Sequence, residues 1–464
     1  MKKKILAAIL ASAMILSIAG CNQETGGSSD NTGAGTNAPS SNAPSTGGDS
    51  AELKDDGDVL TILAWSGNSD IKNMVELFCA ETGTDASKIN IVAQGDSGGD
   101  ASTQYQQYLS GNEDADLMCL EADWILKYIN DDSLTAPLSA LDITQSSLAN
   151  PYAYTVAIGT NEAGVFKGAS FQAAPGGFAY RADLAEQYLG VKSPEEMQAK
   201  IGDWASFQAT AKELYEKSEG KVSMTATEGG LWQVYQANRT QPWVKDGKLV
   251  MDNAEDFYDI AKSMKDEKTL ADVEQWKDPW YASVNSGDCL GDFVSTWGLT
   301  TATTSILYQF ADGKQNDDAY MAFCAGPQSY YWGGTWLGVS TKCDNKSLAK
   351  QFVEFFTCND DTMRKYTEKT NDFCNNSVVM KAIVDEAANK NPLLKGGQDQ
   401  FAILLDAASG VKMDGLITKY DSTIKEAFNK SVQDYIAGNH ATKEDAIDAF
   451  KKSVAADVTD ITVE

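Results

Sequence analysis

The residues best suited to chemistry in this sequence are aromatic and acidic side chains in short segments that contain glycine. The densest group is Tyr330-Tyr331-Trp332-Gly333-Gly334-Thr335-Trp336, four aromatic residues around a Gly-Gly pair. Their spacing follows neither a helix nor a strand, so the segment is predicted to be a loop. Glycine lets backbone amides approach a bound molecule closely. We therefore expect Trp332, Gly334 and Trp336 to line a binding site, the alternative being an aromatic plug between strands.

A second group of candidates stands where short apolar runs end. The runs cover residues 59–65, 89–93 and 115–120. Aromatic rings there could cover an apolar face of a bound molecule, and acids could accept charge-assisted hydrogen bonds from its hydroxyls. The candidates are Trp65, Ser66, Asn68, Asp96, Ser97, Glu121 and Asp123. The alternatives are a tryptophan at the core edge, plain turn chemistry at Asp96 and helix capping by Asp123.

Two further candidates lie outside these groups. Trp232 follows the pair Gly229-Gly230 at the start of a predicted helix, where it faces either a cleft or the core. Asp372 lies in a predicted loop, Asn371-Asp372-Phe373, after a charged helix.

The apolar pattern predicts the elements that position these residues. Between the three strand-like runs, apolar residues recur at helical spacing, first from Ile71 to Cys79 and again from Tyr105 to Leu109. Alternating strands and helices indicate an α/β fold with a parallel sheet. In such sheets ligands bind beyond the carboxyl ends of the strands, which is where the second group stands. Residues 424–436 and 446–454 are predicted to be packing helices.

Composition and charge exclude several classes of function. The chain has 464 residues with a formal net charge of −28, which disfavours nucleic acid as a partner. Its single histidine, His440, leaves no histidine-based metal site or catalytic triad unless His440 itself serves. No loop has calcium-binding spacing. We therefore predict no metal, no cofactor and no catalytic residue.

The N-terminus is predicted to be an export and anchoring segment. Three lysines, Lys2 to Lys4, precede an apolar run that is too short to span a bilayer and ends in Ala19-Gly20-Cys21. This pattern resembles a bacterial lipobox, which implies a signal peptide over residues 1–20 and a lipid on Cys21. The polar residues 21–57 are predicted to be a disordered tether with a reach of roughly 30–36 Å. We expect the protein at the outer face of the cell membrane.

The other seven cysteines are an odd number, so they cannot all pair within the chain. Several stand in apolar runs, which favours buried thiols, although one or two disulfides stay open.

Several motifs follow one another in a fixed order. They are Leu109-Ser110-Gly111 with Ala115-Asp116-Leu117 and Asp123-Trp124; Ala179-Tyr180-Arg181-Ala182-Asp183-Leu184; Pro194 with Asp203-Trp204 and Phe207; Gly291-Asp292-Phe293 with Ser295-Thr296-Trp297; and Ala325-Gly326-Pro327 with Gly333-Gly334 and Leu337-Gly338-Val339-Ser340. From about residue 58 to the end, this order resembles the extracellular solute-binding proteins of ABC importers, of the maltose-binding type. Ala115 and Arg181 depart from it, since the family has Pro and Asn there.

The resemblance implies a two-lobed α/β fold of the periplasmic-binding type, with a ligand cleft between the lobes. The first lobe would hold residues 58–172 and 328–358, and the second residues 173–327 and 359–464. It also implies that Tyr180 borders the cleft and that Trp297 stacks on the ligand. The implied partners are a small solute and the permease subunits of an importer, and we expect a monomer.

Three functions remain open at this point. The preferred one is capture of a sugar, of oligosaccharide size, by lobe closure. The second keeps the fold but binds a polyamine or a peptide, because tryptophan faces and acidic charge also hold cations. The third is an exported glycosidase, which needs two carboxyl groups on opposite sides of a bond.

Overall fold

The computed structural model describes residues 52–65, 69–95, 98–111, 113–413 and 415–464. The predictions for the signal peptide, for Cys21 and for most of the tether lie outside these ranges, as do the candidates Ser66, Asn68, Asp96 and Ser97. Within them, no helix combines the length and the apolar character that crossing a membrane requires.

The first sheet has six strands and contains the predicted parallel core. The strands are β1 (Leu60–Ala64), β2 (Ile89–Ala93), β3 (Leu117–Glu121), β4 (Thr135–Ala136), β5 (Gly168–Ser170) and β12 (Thr335–Ser340). The order is β2-β1-β3-β12-β4, with β5 also paired to β12. Strands β1, β2 and β3 run parallel, which confirms the strand–helix–strand prediction, and β12 runs antiparallel to β3.

The second sheet has four strands in the order β11-β6-β10-β7. They are β6 (Gly176–Arg181), β7 (Ser223–Thr225), β10 (Cys289–Ser295) and β11 (Met321–Cys324). Strand β6 is antiparallel to both β10 and β11, whereas β7 is parallel to β10. A separate hairpin joins β8 (Val244–Lys245) to β9 (Lys248–Leu249).

Helices surround both sheets. In the described ranges they are α1 (Ser69–Thr82), α2 (Gly98–Ser110), α3 (Ile125–Ile129), α4 (Ala153–Ile158), α5 (Ala182–Leu184), α6 (Pro194–Ile201), α7 (Trp204–Lys217), α8 (Glu228–Tyr235), α9 (Ala254–Asp266), α10 (Asp278–Asn285), α11 (Ile306–Phe310), α12 (Lys346–Thr357), α13 (Asp360–Thr370), α14 (Ser377–Asp385), α15 (Phe401–Gly410), α16 (Asp421–Ile436) and α17 (Lys443–Asp457). Helices α16 and α17 confirm the two predicted C-terminal packing helices. The Thr442 side chain caps α17 by accepting from the Asp445 backbone N–H at 3.1 Å.

Two apolar clusters make up the core. In the first, Phe78 of α1 packs against Phe352 and Phe355 of α12, with ring centroids 5.2 and 5.4 Å apart. This cluster also takes in Val294 of β10 and Phe323 of β11, so it extends onto the second sheet. In the second cluster, Phe178 of β6 and Phe293 of β10 pack at 5.1 Å under helices α7, α9 and α16.

Two stretches of chain that pass between the sheets lie side by side. The segment from β5 to β6 pairs through Pro175 with Tyr331, in the segment from β11 to β12. The backbone N–H of Trp332 donates to the Ala174 carbonyl at 3.0 Å, and that of Gly176 to the Tyr330 carbonyl at 3.2 Å. The loop after α13 lies beside them, because the backbone N–H of Ala173 donates to the Phe373 carbonyl at 3.3 Å.

Helix α13 itself lies against α1, through the Lys369–Glu76 ion pair at 3.2 Å. The predicted lobe boundaries, including the one at residue 358, stay predictions.

The end of the predicted tether needs a correction. Leu53, the only large apolar side chain in that stretch, is buried. The backbone N–H of Lys54 donates to the Cys343 carbonyl at 3.2 Å, and the Asp55 carboxylate accepts from the Ser347 backbone N–H at 2.8 Å. Residues 52–57 are therefore anchored on the first lobe, because one buried leucine and a few backbone hydrogen bonds are enough to hold a short segment.

No disulfide bond joins any two of the cysteines in the described ranges. Five of them are buried: Cys119, Cys289, Cys324, Cys343 and Cys374. Their burial agrees with the reading of these side chains as small apolar residues.

Candidate functional site

The site begins where strands of the two sheets end beside the same crossing segment. In the first sheet, Glu121 at the end of β3 pairs with Thr335 at the start of β12, so the Gly333-Gly334 pair lies next to Glu121. In the second sheet, Ser295 ends β10, and its hydroxyl donates to the Ala174 carbonyl at 2.9 Å. Because Ala174 also holds Trp332, the crossing brings Trp332 and Trp297 together.

Four tryptophans then form one cluster, which we call the tryptophan cluster: Trp276, Trp280, Trp297 and Trp332. The indole N–H of Trp297 donates to the Trp332 carbonyl at 2.9 Å. The centroids of these two rings are 5.9 Å apart at an interplanar angle of 84°, and Trp276 lies 5.7 Å from each. Trp297 and Trp332 are half-buried. Trp276, Trp297 and Trp332 form a corner, and Trp276 is the most exposed of these three rings, at 46%. Accessible indole rings set at an angle suit a flat, partly apolar ligand ring.

Glycine at 333 is required by this packing. Its φ is +69°, and a Cβ there would lie 3.3 Å from the Trp297 indole nitrogen and 3.6 Å from Glu121 Oε1. The same contacts show that Glu121 lies beside the tryptophan cluster. Gly334 has a φ of +104° and is buried against the Trp336 ring. It shapes the loop rather than offering a contact surface.

Glu121 is a titratable group beside the cluster on the first lobe. Its carboxylate accepts a hydrogen bond from the Asp123 backbone N–H at 2.7 Å. Burial, followed by the nearby Asp123 carboxylate, raises the pKa of Glu121 well above its ordinary value. The group is therefore mainly a neutral carboxylic acid at neutral pH, and a neutral acid both donates and accepts hydrogen bonds.

An ion pair between the lobes lies beside Glu121. The Lys425 ammonium on α16 contacts both Asp123 oxygens, at 2.8 and 3.0 Å, and donates to the Gln233 amide oxygen at 3.0 Å. Behind it, the Arg239 guanidinium lies 3.6 Å from Asp421 and stacks over Trp243 at 4.3 Å. These groups border a cavity of ≈ 30 Å³, which is room for about one water molecule.

The charges of this region balance one another. Asp123 is paired with Lys425, Asp421 with Arg239, and the raised pKa keeps Glu121 mainly uncharged. Among the described residues, no group of three or more His, Cys, Asp or Glu side chains has the geometry to hold a metal ion. The site can therefore offer ring faces and hydrogen bonds, but little net charge, to a ligand.

The structure corrects four of the predicted site residues. Tyr180, Trp232 and Trp336 are each 1% exposed, and Asp372 is 0% exposed. Trp232 packs against Phe428 with centroids 4.3 Å apart, and Tyr180 stacks with Phe178. Tyr180 and Trp232 belong to the second core cluster and Trp336 to the first. Aromatic side chains fill core positions as readily as they line a cleft, so residue type alone did not separate the two.

Trp336 and Asp372 are held in the interior by hydrogen bonds. The Trp336 indole N–H donates to the Thr155 carbonyl at 2.8 Å. The Asp372 carboxylate accepts from the Tyr366 hydroxyl at 2.8 Å and from the Gln172 amide at 2.5 Å, at the crossing between the lobes. Both residues stiffen the frame of the site and do not face its opening.

The remaining predicted residues fall into two places. Glu121, Trp297 and Trp332 come together at the tryptophan cluster, and Asp123 lies beside them in the ion pair. Trp65 is half-buried at the end of β1 and meets Trp124 edge-on at 6.2 Å, at the edge of the first core. The sequence reading of Trp124 as a core residue is confirmed, with 3% of its surface exposed.

Sequence reasoning missed Trp276, Lys425, Gln233 and Arg239. Trp276 left no distinct signal, because Val273, Trp276 and Trp280 have the i, i+3, i+7 spacing that is typical of a core-facing helix. Lys425 left none, because α16 reads as an ordinary packing helix and its partner Asp123 is far away in the chain.

Comparison with known proteins places this geometry in a family. The chain matches the family described as bacterial extracellular solute-binding protein over residues 64–363. No curated protein sequence matches it. Among solved structures, the ABC transporter associated binding protein of B. animalis subsp. lactis Bl-04, in complex with β-1,6-galactobiose, has a TM-score of 0.68 and 16% identity, covering 86% of this chain and 97% of that chain.

Two other solved structures share the fold. The galacto-N-biose-/lacto-N-biose I-binding protein of Bifidobacterium longum has a TM-score of 0.66 and 15% identity, covering 88% of this chain and 100% of that chain. Maltose-bound MalE3 of T. maritima has a TM-score of 0.63 and 16% identity, covering 86% and 99%. At these identities the likeness shows the fold, two α/β lobes with a cleft between them. Because the family match spans more than half of its length, the chain belongs to the bacterial extracellular solute-binding proteins.

Proposed function

We propose that this protein captures a neutral sugar of oligosaccharide size in the cleft between its lobes. The observation that carries the proposal is the tryptophan cluster beside a mainly uncharged Glu121. A pyranose ring has an apolar C–H face that stacks on indole rings, and hydroxyls that bond to carboxyl and amide groups. The three relatives above bind β-1,6-galactobiose, lacto-N-biose I and maltose, which supports the same class of ligand here.

Charge separates this proposal from the alternative with a polyamine. A cationic ligand needs carboxylates whose charge is not already matched, whereas Asp123 and Asp421 each face a cation of the protein. Glycosidase chemistry needs two carboxyl groups that face each other across a bond, whereas Glu121 and Asp123 share one turn on the first lobe. The pairing of the charges and the positions of the two acids both favour binding of a neutral ligand without catalysis.

The remaining steps follow from the family and from the N-terminal sequence. Closure of the two lobes traps the sugar by shifting an existing equilibrium between open and closed forms. The closed form then delivers it to the permease subunits of an ABC importer. A lipid on Cys21 holds the protein at the extracytoplasmic face of the cell membrane, and the protein acts as a monomer.

A thermal-shift screen of the full chain tests the proposal. The ligands are neutral mono- and oligosaccharides, including maltose and β-1,6-galactobiose, together with spermidine and short peptides. Saturating ligand stabilises the native state by RT ln(1 + [L]/Kd), about 2.7 kcal/mol at a hundredfold excess over Kd, so the Tm should rise by a few degrees with one sugar family. The shift should fall to about half or less in Trp332→Ala and persist in Val378→Ala, which removes an exposed apolar side chain elsewhere. A shift with spermidine alone would overturn the proposal.

A further inference from the structure

Trp276 is a large apolar residue that is exposed to solvent and has an unfavourable backbone conformation. Its side chain is 46% exposed, although it is among the largest apolar residues of the chain. Its φ is +67°, in the left-handed region that is costly for a residue with a bulky side chain. Strained backbone of this kind persists where the surrounding structure holds it, and it concentrates at functional sites. The loop therefore places an indole at the surface at a cost.

The surrounding structure holds Trp276 from beneath. The Trp280 ring packs edge-on against it, with centroids 4.9 Å apart. The Trp280 indole N–H donates at 2.7 Å to the fully buried Asp292 carboxylate of β10. Just before Trp276, the backbone N–H of Val273 donates to the Ala226 carbonyl at 3.2 Å. The ring thus rests on a fixed support in the second lobe.

The orientation of the rings decides which face a ligand meets. The planes of Trp276 and Trp297 differ by only 31°, with ring centroids 5.7 Å apart. Trp332 stands at 66° to Trp276 and at 84° to Trp297, so it closes one side of the pair. Trp276 is the most exposed of the three rings and therefore offers the largest ring surface to a ligand.

We propose that Trp276 determines the ligand specificity of this protein: its exposed ring is the platform on which one ring of the bound sugar stacks, with Trp297 and Trp332 beside it. This inference rests on the proposed capture of a neutral sugar. Glu121 lies beside the same corner, on the first lobe. Its carboxyl group forms hydrogen bonds with the hydroxyls of that sugar ring. The platform and its hydrogen-bonding partner come from different lobes, so a flat pyranose face is selected when the lobes close on it.

Calorimetric titration of the full chain tests the inference. The titrant is maltose or β-1,6-galactobiose, whichever gives the larger thermal shift with the wild type, and the variants are Trp276→Ala, Trp276→Phe and Val378→Ala. We expect Trp276→Ala to weaken affinity about tenfold or more, as truncation of a buried aromatic contact does. Trp276→Phe keeps a flat ring and should lose less, and Val378→Ala should bind like the wild type.

A second readout separates stacking from a structural role. Binding of the sugar should change the tryptophan fluorescence of the wild type, and this change should be smaller in Trp276→Phe, whose melting temperature should stay close to that of the wild type. Unchanged affinity in Trp276→Ala, with only a lowered melting temperature, would overturn the inference and leave the proposed function intact. A wild type that binds no neutral sugar would overturn both.

Discussion

At the scale of single residues, the site works through groups whose chemistry is set by their surroundings. Glu121 is the clearest case, because burial and the neighbouring Asp123 raise its pKa from 4.5 to about 8. A carboxyl group that keeps its proton adds a hydrogen-bond donor to the cleft without adding charge. The surroundings also fix what Trp297 can offer. Its indole N–H donates to the Trp332 carbonyl, so only its ring surface is left for a ligand.

The raised pKa of Glu121 predicts a pH dependence of stability. The native state holds this proton more tightly than the unfolded chain, so the contribution of the group is full below pH 4.5 and is lost as the pH rises towards 8. Glu121→Gln imitates the neutral acid at every pH. Urea unfolding across this range should show the variant gaining stability relative to the wild type as the pH rises. Parallel pH profiles for the two proteins would contradict the assignment.

At the scale of elements, strand β10 connects the second core to the site. Its residue Asp292 is fully buried and accepts hydrogen bonds from Trp280 at 2.7 Å, from Thr225 at 2.7 Å and from the Phe293 backbone at 2.9 Å. Through Trp280 it fixes helix α10 and the loop that carries Trp276. Burial raises the pKa of Asp292 to about 6, and the hydrogen bonds oppose that rise.

Replacing Asp292 should lower the free energy of unfolding of the protein. Asp292→Ala leaves several buried donors without an acceptor and should cost about 3 kcal/mol of unfolding free energy. Asp292→Asn keeps one oxygen for Trp280 and should cost less. Chemical denaturation measures both, with Asp288→Asn as the control, since that acid is exposed in the turn before β10. Equal losses for Asp292→Asn and Asp288→Asn would show that Asp292 does not organise the element.

How far the sequence predicts the fold differs between elements. Strands β1, β2 and β3 and helices α16 and α17 were predictable because their apolar residues repeat with one clear period. Periodicity cannot say which tryptophan of an element faces a core. Trp232 on α8 and Trp336 on β12 therefore looked like ligand contacts, although tertiary packing buries both.

The site was predictable where it depends on strand ends and on glycine. Glu121 follows from the end of β3, and Trp332 from the Gly333-Gly334 pair. Trp297 came from the family resemblance. Trp276 and Lys425 reach the site through tertiary contacts between segments distant in sequence, and no local pattern encodes such contacts.

At the scale of the whole molecule, the lobes are joined by chain crossings and by the ion pair between Lys425 and Asp123. Lys425 on the second lobe holds Asp123 on the first, while Gln233 binds the same ammonium group. An ion pair that spans two lobes favours arrangements in which they lie close together. Under the proposed function it would therefore stabilise the closed form.

Lys425→Gln should weaken sugar affinity modestly by removing this link. The Asp123 side chain is 48% exposed, so the pair is worth about 1 kcal/mol or less, which is a loss of up to about fivefold in affinity. A double-mutant cycle with Asp123→Asn, measured by calorimetry, should give a coupling of that size. Lys430→Gln is the matched control, since Lys430 lies on the same helix and pairs with Asp434, one turn away on that helix. A coupling of zero would show that the ion pair does not contribute to closure.

The central claim is that the tryptophan cluster binds a neutral sugar. The most direct measurement is calorimetric titration of the full chain with the best-stabilising sugar, at low and at high salt, for the wild type and for Trp332→Ala. Because ring stacking and hydrogen bonds to a neutral solute are screened little by ions, salt should lower the wild-type affinity by no more than the roughly fivefold that the Lys425–Asp123 pair contributes, and Trp332→Ala should lose about tenfold or more. An affinity that falls steeply with salt, or a Trp332→Ala variant that binds like the wild type, would contradict the claim.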